Sequence, residues 1–475
     1  MPNKKTRLEA DSIGSKSIPV DAYWGIHTAR AIENFPISGI RPHPEFIVAA
    51  AQVKKAACLA NLSIGLIDRR IAKAIIRASD EVITGKLHDQ FVVDVYQAGA
   101  GTSHNMNANE VIANRALELL GKRRGRYDVI HPNDHVNMSQ STNDAMPTAL
   151  RLACLMSSKR LIAALKALEG TLFLKAREFS GVVKSGRTHL QDASPITLGQ
   201  EFGSYAAAIR SAGITIEAAR RGLKRIGLGG TAVGTGINTH PRYRSIALSE
   251  LKRASGFKDL LKAPDAFEAL SSMADFVVYS GALKAAAVEL IRIANDLRLL
   301  SSGPTTGLAE ITLLPVQAGS SIMPGKVNPV MAEMLNMVCF QVIGLDLAVT
   351  CAAQAGQLEL NVMLPVINHN ILESTRILTT GVNSFNERCV MGIKADKARC
   401  RRYFEGSIGL ATGLNTFIGY TAATSIAKEA ASTGRPVKDV AIEKGILSEK
   451  QWERLIKGKA MFKPVDMTVF KPKKL

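Results

Sequence analysis

The chain has 475 residues, 46% of them hydrophobic, which is enough for large buried cores and two or three domains. Aromatics are only 5%, and the apolar residues are mostly Ala, Leu, Ile, Val and Met, a balance that favours helices over sheets. The formal charge of +19 is spread along the chain in short clusters such as Lys122-Arg123-Arg124 and Lys471-Pro472-Lys473-Lys474. No basic run is interleaved with aromatics, so a solvated basic surface is expected in place of a nucleic-acid groove.

The N-terminus, MPNKKTRLEADSIG, is charged and lacks an apolar core, so no signal peptide is expected. No stretch of about 18 uninterrupted apolar residues occurs, so no membrane span is expected. The six cysteines, Cys58, Cys154, Cys339, Cys351, Cys389 and Cys400, are scattered without CxxC spacing. That pattern suits a reducing compartment and speaks against a disulfide framework or a zinc site. A cytoplasmic protein is expected.

Residues 1–140 form a first helical domain, with the aromatic patch Asp21-Ala22-Tyr23-Trp24-Gly25 and helical patterns around 44–61 and 65–85. Near its end stands Gly99-Ala100-Gly101-Thr102-Ser103-His104-Asn105-Met106-Asn107. Glycines followed by hydroxyl and amide groups at a helix start suit an anion site, although a plain N-cap needs the same residues. Gln140-Ser141-Thr142-Asn143-Asp144 then precedes a helix expected to begin near Pro147. One cap needs one side chain, not five, which points to ligand binding here.

Residues 141–395 form a central domain of rods. The segments 148–179, 196–226, 265–302, 330–364 and 366–390 are long and poor in proline, with Leu150, Leu152, Leu155, Leu161, Leu165, Leu168 and Leu172 at helical spacings in the first. A helix of about 30 residues is about 45 Å long. Their apolar character covers more than one narrow face, which predicts burial on several sides and packing of bundles from different subunits. The expected fold class is all-α. Between rods, Gly186-Arg187-Thr188-His189-Leu190-Gln191-Asp192 offers a histidine among polar neighbours in a Gly-flanked loop, either a structural residue or an acid/base group. Gly227-Leu228-Gly229-Gly230-Thr231-Ala232 fits GxGxxA, but a basic helical segment precedes it in place of a strand, so no nucleotide site is expected.

The segment Gly319-Ser320-Ser321-Ile322-Met323-Pro324-Gly325-Lys326-Val327-Asn328-Pro329 concentrates two hydroxyls, an amine and a carboxamide in one Gly/Pro-rich connection. Glycines allow movement and positive φ, while prolines narrow the conformations sampled. The polar groups suit an anion: Lys326 is a point charge, Asn328 donates twice, and the serines donate or accept. From 396 to 475 a small basic C-terminal domain follows, with Ser448-Glu449-Lys450-Gln451 as a capping box. No P-loop, HExxH or zinc-ligand spacing is present.

These four polar segments, in this order and spacing, resemble the substrate-binding regions of the aspartase/fumarase superfamily of lyases. The strings EADSIGSKSIPVDAYWGIHTARAIENFPISG, LPVINHNILES and ATGLNTFIGY extend the resemblance to about residues 7–455. It implies a three-domain all-α fold with a central long-helix bundle, and a homotetramer whose active sites each draw on three subunits. It assigns Ser320 as the base on a substrate-covering loop. Thr102, Asn143 and His189 would meet an amino group, Ser141, Thr142 and Ser321 the β-carboxylate, and Thr188, Lys326 and Asn328 the α-carboxylate. No metal or organic cofactor is implied.

Within the superfamily, Thr142 stands where fumarases typically carry serine, and Ala100 likewise, which favours elimination of ammonia from L-aspartate over the class II fumarase reaction. Gly325 and His131-Pro132-Asn133-Asp134 are fumarase-like, so the hydration of fumarate is the alternative. A catalytically silent basic scaffold or nucleic-acid-binding relative is a third, opposed by the intact Ser320, Lys326, Asn328, Thr188 and His189.

Overall fold

The computed structural model describes residues 5–457 and 461–462, so the basic cluster Lys471-Pro472-Lys473-Lys474 lies outside the described residues. Helices dominate. In chain order they are α1 (Ile26–Asn34), α2 (Pro44–Ile64), α3 (Arg69–Ile83), α4 (Thr102–Leu119), α5 (Thr142–Glu178), α6 (Leu198–Leu223), α7 (Tyr243–Ser255) and α8 (Ala266–Ser271). They continue with α9 (Ala274–Leu300), α10 (Val330–Gln354), α11 (Leu364–Arg388), α12 (Lys397–Gly406), α13 (Ala411–Ile418), α14 (Tyr420–Thr433), α15 (Val437–Glu443) and α16 (Glu449–Lys457). Strand is confined to two-stranded pairs, chiefly β1 (Thr6–Asp11) with β2 (Gly14–Pro19), and β3 (Val183–Thr188) with β4 (Gln191–Thr197). The fold class is all-α.

The rods differ from the sequence expectation at their ends, because side-chain caps set those ends. Helix α5 begins at Thr142, ahead of Pro147, since Ser141 Oγ accepts the Asn143 N–H and Asp144 Oδ1 accepts the Ser141 N–H there. The segment 265–302 is broken into α8 and α9: Ser272 turns to extended backbone, and its Oγ accepts the N–H of Ala274 at 3.3 Å to start the new helix. Helix α10 stops at Gln354, ten residues early. The Asn361 side-chain amide donates to the carbonyls of Ala352 (3.0 Å) and Ala353 (2.9 Å), satisfying the end of the helix. The capping box at Ser448 forms as expected, with Gln451 Oε1 accepting the Ser448 N–H at 2.8 Å.

The chain divides into two compact units. One comprises Met1–Ala163, Ala212–Ala287 and Val338–Thr379, and the other Ala164–Ser211, Val288–Met337 and Thr380–Leu475. The first contains a core built by α2, α3 and α4, with Ile75, Val82, Phe91, Val111, Ile112, Leu117 and Ile130 buried. The second contains a core in the C-terminal helices, where Phe404, Leu414, Ile426, Val437, Val440 and Trp452 pack together. Each such side chain contributes about 1.5–3 kcal/mol by leaving water.

Among the described residues, α2 and α10 are long and apolar enough to cross a membrane by length and composition, a test that core helices also pass. Asn336, Gln341 and Asp346 interrupt the apolar residues of α10. Helix α2 is a core helix, mostly buried. The most apolar window of α10 is only 33% buried, and Met337, Phe340 and Leu347 are exposed on it.

Candidate active site

Of the ten residues singled out by motif, Thr102, Ser141, Thr142 and Asn143 lie in the first unit, and Thr188, His189, Ser320, Ser321, Lys326 and Asn328 in the second. In the first unit a tight Gly-Ala-Gly turn delivers the chain into α4. Ala100 and Gly101 both have positive φ (58° and 86°), and Ala100 donates its N–H to Val362 O at 2.8 Å. A side chain at Gly99 would press on Val362 Cβ at 3.0 Å, so the turn needs glycine for that close approach. Thr102, the first residue of α4, is exposed, and its hydroxyl donates to Gly99 O at 3.1 Å. Its oxygen lone pairs are therefore left to accept, the role an ammonium requires.

At the start of α5, capping accounts for two of the polar residues. Ser141 Oγ accepts the Asn143 N–H at 3.2 Å, and Asp144 Oδ1 accepts the Ser141 N–H at 2.9 Å. Asp144 Oδ2 also accepts N–H groups from Gly229 (2.8 Å) and Thr231 (3.0 Å). The Gly-rich 227–232 segment thus does cradle an anion, and that anion is the protein's own carboxylate. Desolvation is the larger effect and pushes the Asp144 carboxyl up to about 6, against those hydrogen bonds. Asn143 donates to Ala232 O at 2.8 Å, while Thr142 Oγ1 accepts from Asn105 Nδ2 at 3.1 Å.

Behind Thr142 lies a buried polar group that the motifs did not reveal. Lys54, on α2, is fully buried, and its Nζ donates to Asn105 Oδ1 (2.6 Å), Asn137 Oδ1 (2.8 Å) and Gln140 Oε1 (3.1 Å). Burial pushes the ammonium down to about 7, and the Asp144 charge opposes that shift. Two turns along the same face of α2, Asn61 donates to Met138 O at 3.0 Å and accepts from Ser139 at 2.8 Å. Helix α2 therefore clamps the stretch that leads into the Ser141–Asn143 motif. The only sequence signal was a lysine inside the apolar run AAAQVKKAACLA. His104, also buried, has its imidazole pushed down to about 3 by desolvation and stays neutral.

In the second unit, the 186–192 segment is the end of the β3–β4 hairpin and not a loop. His189 and Leu190 form its two-residue turn, both with positive φ (56° and 61°), the type I′ geometry that matches strand twist. Thr188 and His189 are exposed at this tip. The hairpin is anchored by charge: Lys184 pairs with Glu201 (2.8 Å) and Glu310 (2.7 Å), and Arg187 with Glu310 (2.9 Å). Glu310 is completely buried, so both cations converge on a carboxylate shielded from water.

The Gly319–Pro329 segment lies between α9 and α10. Its ends are joined by a hydrogen bond from Gly319 N–H to Lys326 O at 2.9 Å, and by Asn328 Nδ2 donating to Gly319 O at 2.6 Å. Inside that closure, Ser320 Oγ accepts two backbone N–H groups, from Met323 (2.9 Å) and Ile322 (3.2 Å). Ser321 and Lys326 are exposed, and Lys326 Nζ has no hydrogen-bond or ion-pair partner among the described residues. A serine oxygen under two N–H dipoles can hold negative charge, and an unpaired ammonium can bind a carboxylate.

A family model for lyases matches residues 14–344, and one for the fumarase C C-terminus matches residues 410–463. An aspartate ammonia-lyase of Bacillus sp is 50% identical over 462 residues, covering 97% of this chain and 98% of that relative. Among solved structures, a fumarate lyase:delta crystallin from Brucella melitensis bound to cobalt is 52% identical with a TM-score of 0.93, covering 95% of this chain and 98% of that one. A class II fumarase from Schistosoma mansoni is 34% identical with a TM-score of 0.91, covering 96% and 98%. Fold and loops together define an enzyme of the lyase class. The chain belongs to the lyase family of the aspartase/fumarase superfamily.

Proposed function

We propose that this enzyme eliminates ammonia from L-aspartate, reversibly, to give fumarate. The observation that supports it most directly is the pair of N–H groups aimed at Ser320 Oγ, taken with 50% identity to an aspartate ammonia-lyase along nearly the whole chain. The proton on Cβ of aspartate is weakly acidic, so its removal requires the β-carboxylate to accept charge as an aci-carboxylate. Hydroxyl donors from Ser141, Thr142 and Ser321 would stabilise that dianion, an oxyanion-type effect. Ser320, held as an alkoxide by the Ile322 and Met323 N–H groups and by Lys326, takes the proton.

Thr188, Lys326 and Asn328 hold the α-carboxylate, while Thr102, Asn143 and His189 meet the amino group that leaves from Cα. Closure of the Gly319–Pro329 loop excludes water and strengthens each of these contacts. A homotetramer with shared active sites, acting in the cytoplasm, completes the proposal, and the exposed apolar residues of α10 support its association. The 34% identity to a class II fumarase supports one second reading, fumarate hydration.

The test is to incubate the protein with fumarate plus ammonium and, separately, with fumarate alone, and to identify the product. Aspartate in the first and no malate in the second is expected; malate without ammonium would replace this proposal with fumarate hydration. Ser320→Ala should abolish elimination while leaving the fold intact, and full activity in that variant would remove Ser320 as the base.

A further inference from the structure

We propose that Lys54 is a positioning residue that fixes the direction of the Thr142 hydroxyl, turning its hydrogen toward the substrate through the side-chain amide of Asn105. The inference rests on the reading above that Thr142 meets the β-carboxylate. It starts from the asymmetry of the two ends of an amide. The protonated lysine, which predominates below about pH 7, has three N–H donors and no acceptor, so every side chain it then touches must present an oxygen to it. Lys54 Nζ has three such partners, Asn105 Oδ1, Asn137 Oδ1 and Gln140 Oε1, and the side chain is fully buried. All three amides are thereby locked in one of their two orientations.

For Asn105 that orientation puts Nδ2 on the far side. There it donates to Thr142 Oγ1 at 3.1 Å and to Asn137 Oδ1 at 3.2 Å. Thr142 must therefore accept from Asn105. Its own hydroxyl hydrogen has no acceptor among the described residues, and it is free to point out of the protein. A donor set in advance toward an incoming carboxylate needs no reorganisation when charge develops there. Were the amide reversed, Thr142 would donate inward and present only lone pairs to an anion.

The alternative is that Lys54 only satisfies buried carbonyls and stabilises the fold. A double-mutant cycle separates the two. With L-aspartate as substrate, Lys54→Met and Thr142→Val should each lower kcat/KM about tenfold to a hundredfold, the range of one hydrogen bond to a charged group. The double variant should be no worse than Thr142→Val alone, because without the hydroxyl there is nothing left to orient. Multiplicative losses would overturn the proposal.

Asn105→Asp keeps an oxygen toward Lys54 and replaces the donor facing Thr142 with an acceptor, so it tests the orientation with the ion contact intact. It also loses the donor to Asn137 Oδ1, so a thermal melt accompanies the kinetics; it should lose activity as Thr142→Val does and show no further loss when combined with it. Wild-type activity in Asn105→Asp would refute the relay, and this arm decides the question if Lys54→Met fails to fold. Fumarate binding by calorimetry is measured on the same variants. If the wild type forms no aspartate, the proposed function fails, whereas the Lys54–Thr142 coupling is still read from fumarate affinity and stands or falls there.

Discussion

Gly319→Ala is a small change with a large expected effect. A Cβ on Gly319 would overlap Lys326 O and lie 2.8 Å from Lys326 C and 2.9 Å from Asn328 N, all backbone atoms that cannot rotate aside. The two hydrogen bonds that close the loop, Gly319 N–H to Lys326 O and Asn328 Nδ2 to Gly319 O, would have to open. At about 0.5–1.5 kcal/mol each, their loss costs the closed geometry about 1–3 kcal/mol, or about 5- to 150-fold in its population. Since residues 321–327 are exposed and contribute little to the core, the thermal midpoint should not move. The assay is initial-rate kinetics by the ultraviolet absorbance of fumarate, beside a thermal melt. A variant with wild-type kcat/KM would refute the view that this closure sets Ser320, and so would a loss of activity matched by a loss of global stability.

Other outcomes follow from the buried charges. The His104 imidazole has its pKa lowered from 6.5 to about 3, so between those values the unfolded chain takes up a proton that the folded chain refuses. Stability should therefore fall as pH drops from 6.5 toward 3, by on the order of 5 kcal/mol in full. His104→Gln should lose that part of the slope, as read by urea midpoints near pH 5 and pH 7; an unchanged slope would contradict the assignment. Glu310→Gln leaves Lys184 and Arg187 facing a neutral group in a buried site and should cost about 3–5 kcal/mol, with an unchanged thermal midpoint as the contrary result. Gly409→Ala places a Cβ on Ala193 O, which links the C-terminal helices to β4, and should lower the midpoint by the equivalent of about 1–3 kcal/mol.

The long helices were legible because their cause is local: extended proline-poor stretches with leucines at helical spacing. Their ends were not, because the side chains that end them act at a distance. Asn361 stops α10 from across a turn, and the start of α5 depends on Asp144 being held by Gly229 and Thr231. The hairpin at Thr188 was hidden for a different reason. Its turn is His189-Leu190, which carries none of the Asn-Gly chemistry that usually marks such a turn. The candidate residues themselves stood out as polar groups at glycine-marked breaks between rods. Lys54 did not, since a lysine in an apolar helix signals a buried role only once Asn105, Asn137 and Gln140 are known to surround it.

The His189-Leu190 turn has a consequence for how such a chain changes over generations. Two residues with side chains hold a left-handed backbone there, at a cost of about 1–2 kcal/mol each that asparagine or glycine would largely relieve. Random substitution offers that relief cheaply and often, so a lineage freed from the need for its imidazole should drift toward Asn-Gly and become more stable. Under the role proposed for His189, the tip gives up backbone ease for an imidazole, and Asn-Gly in place of His189-Leu190 should raise stability while lowering activity.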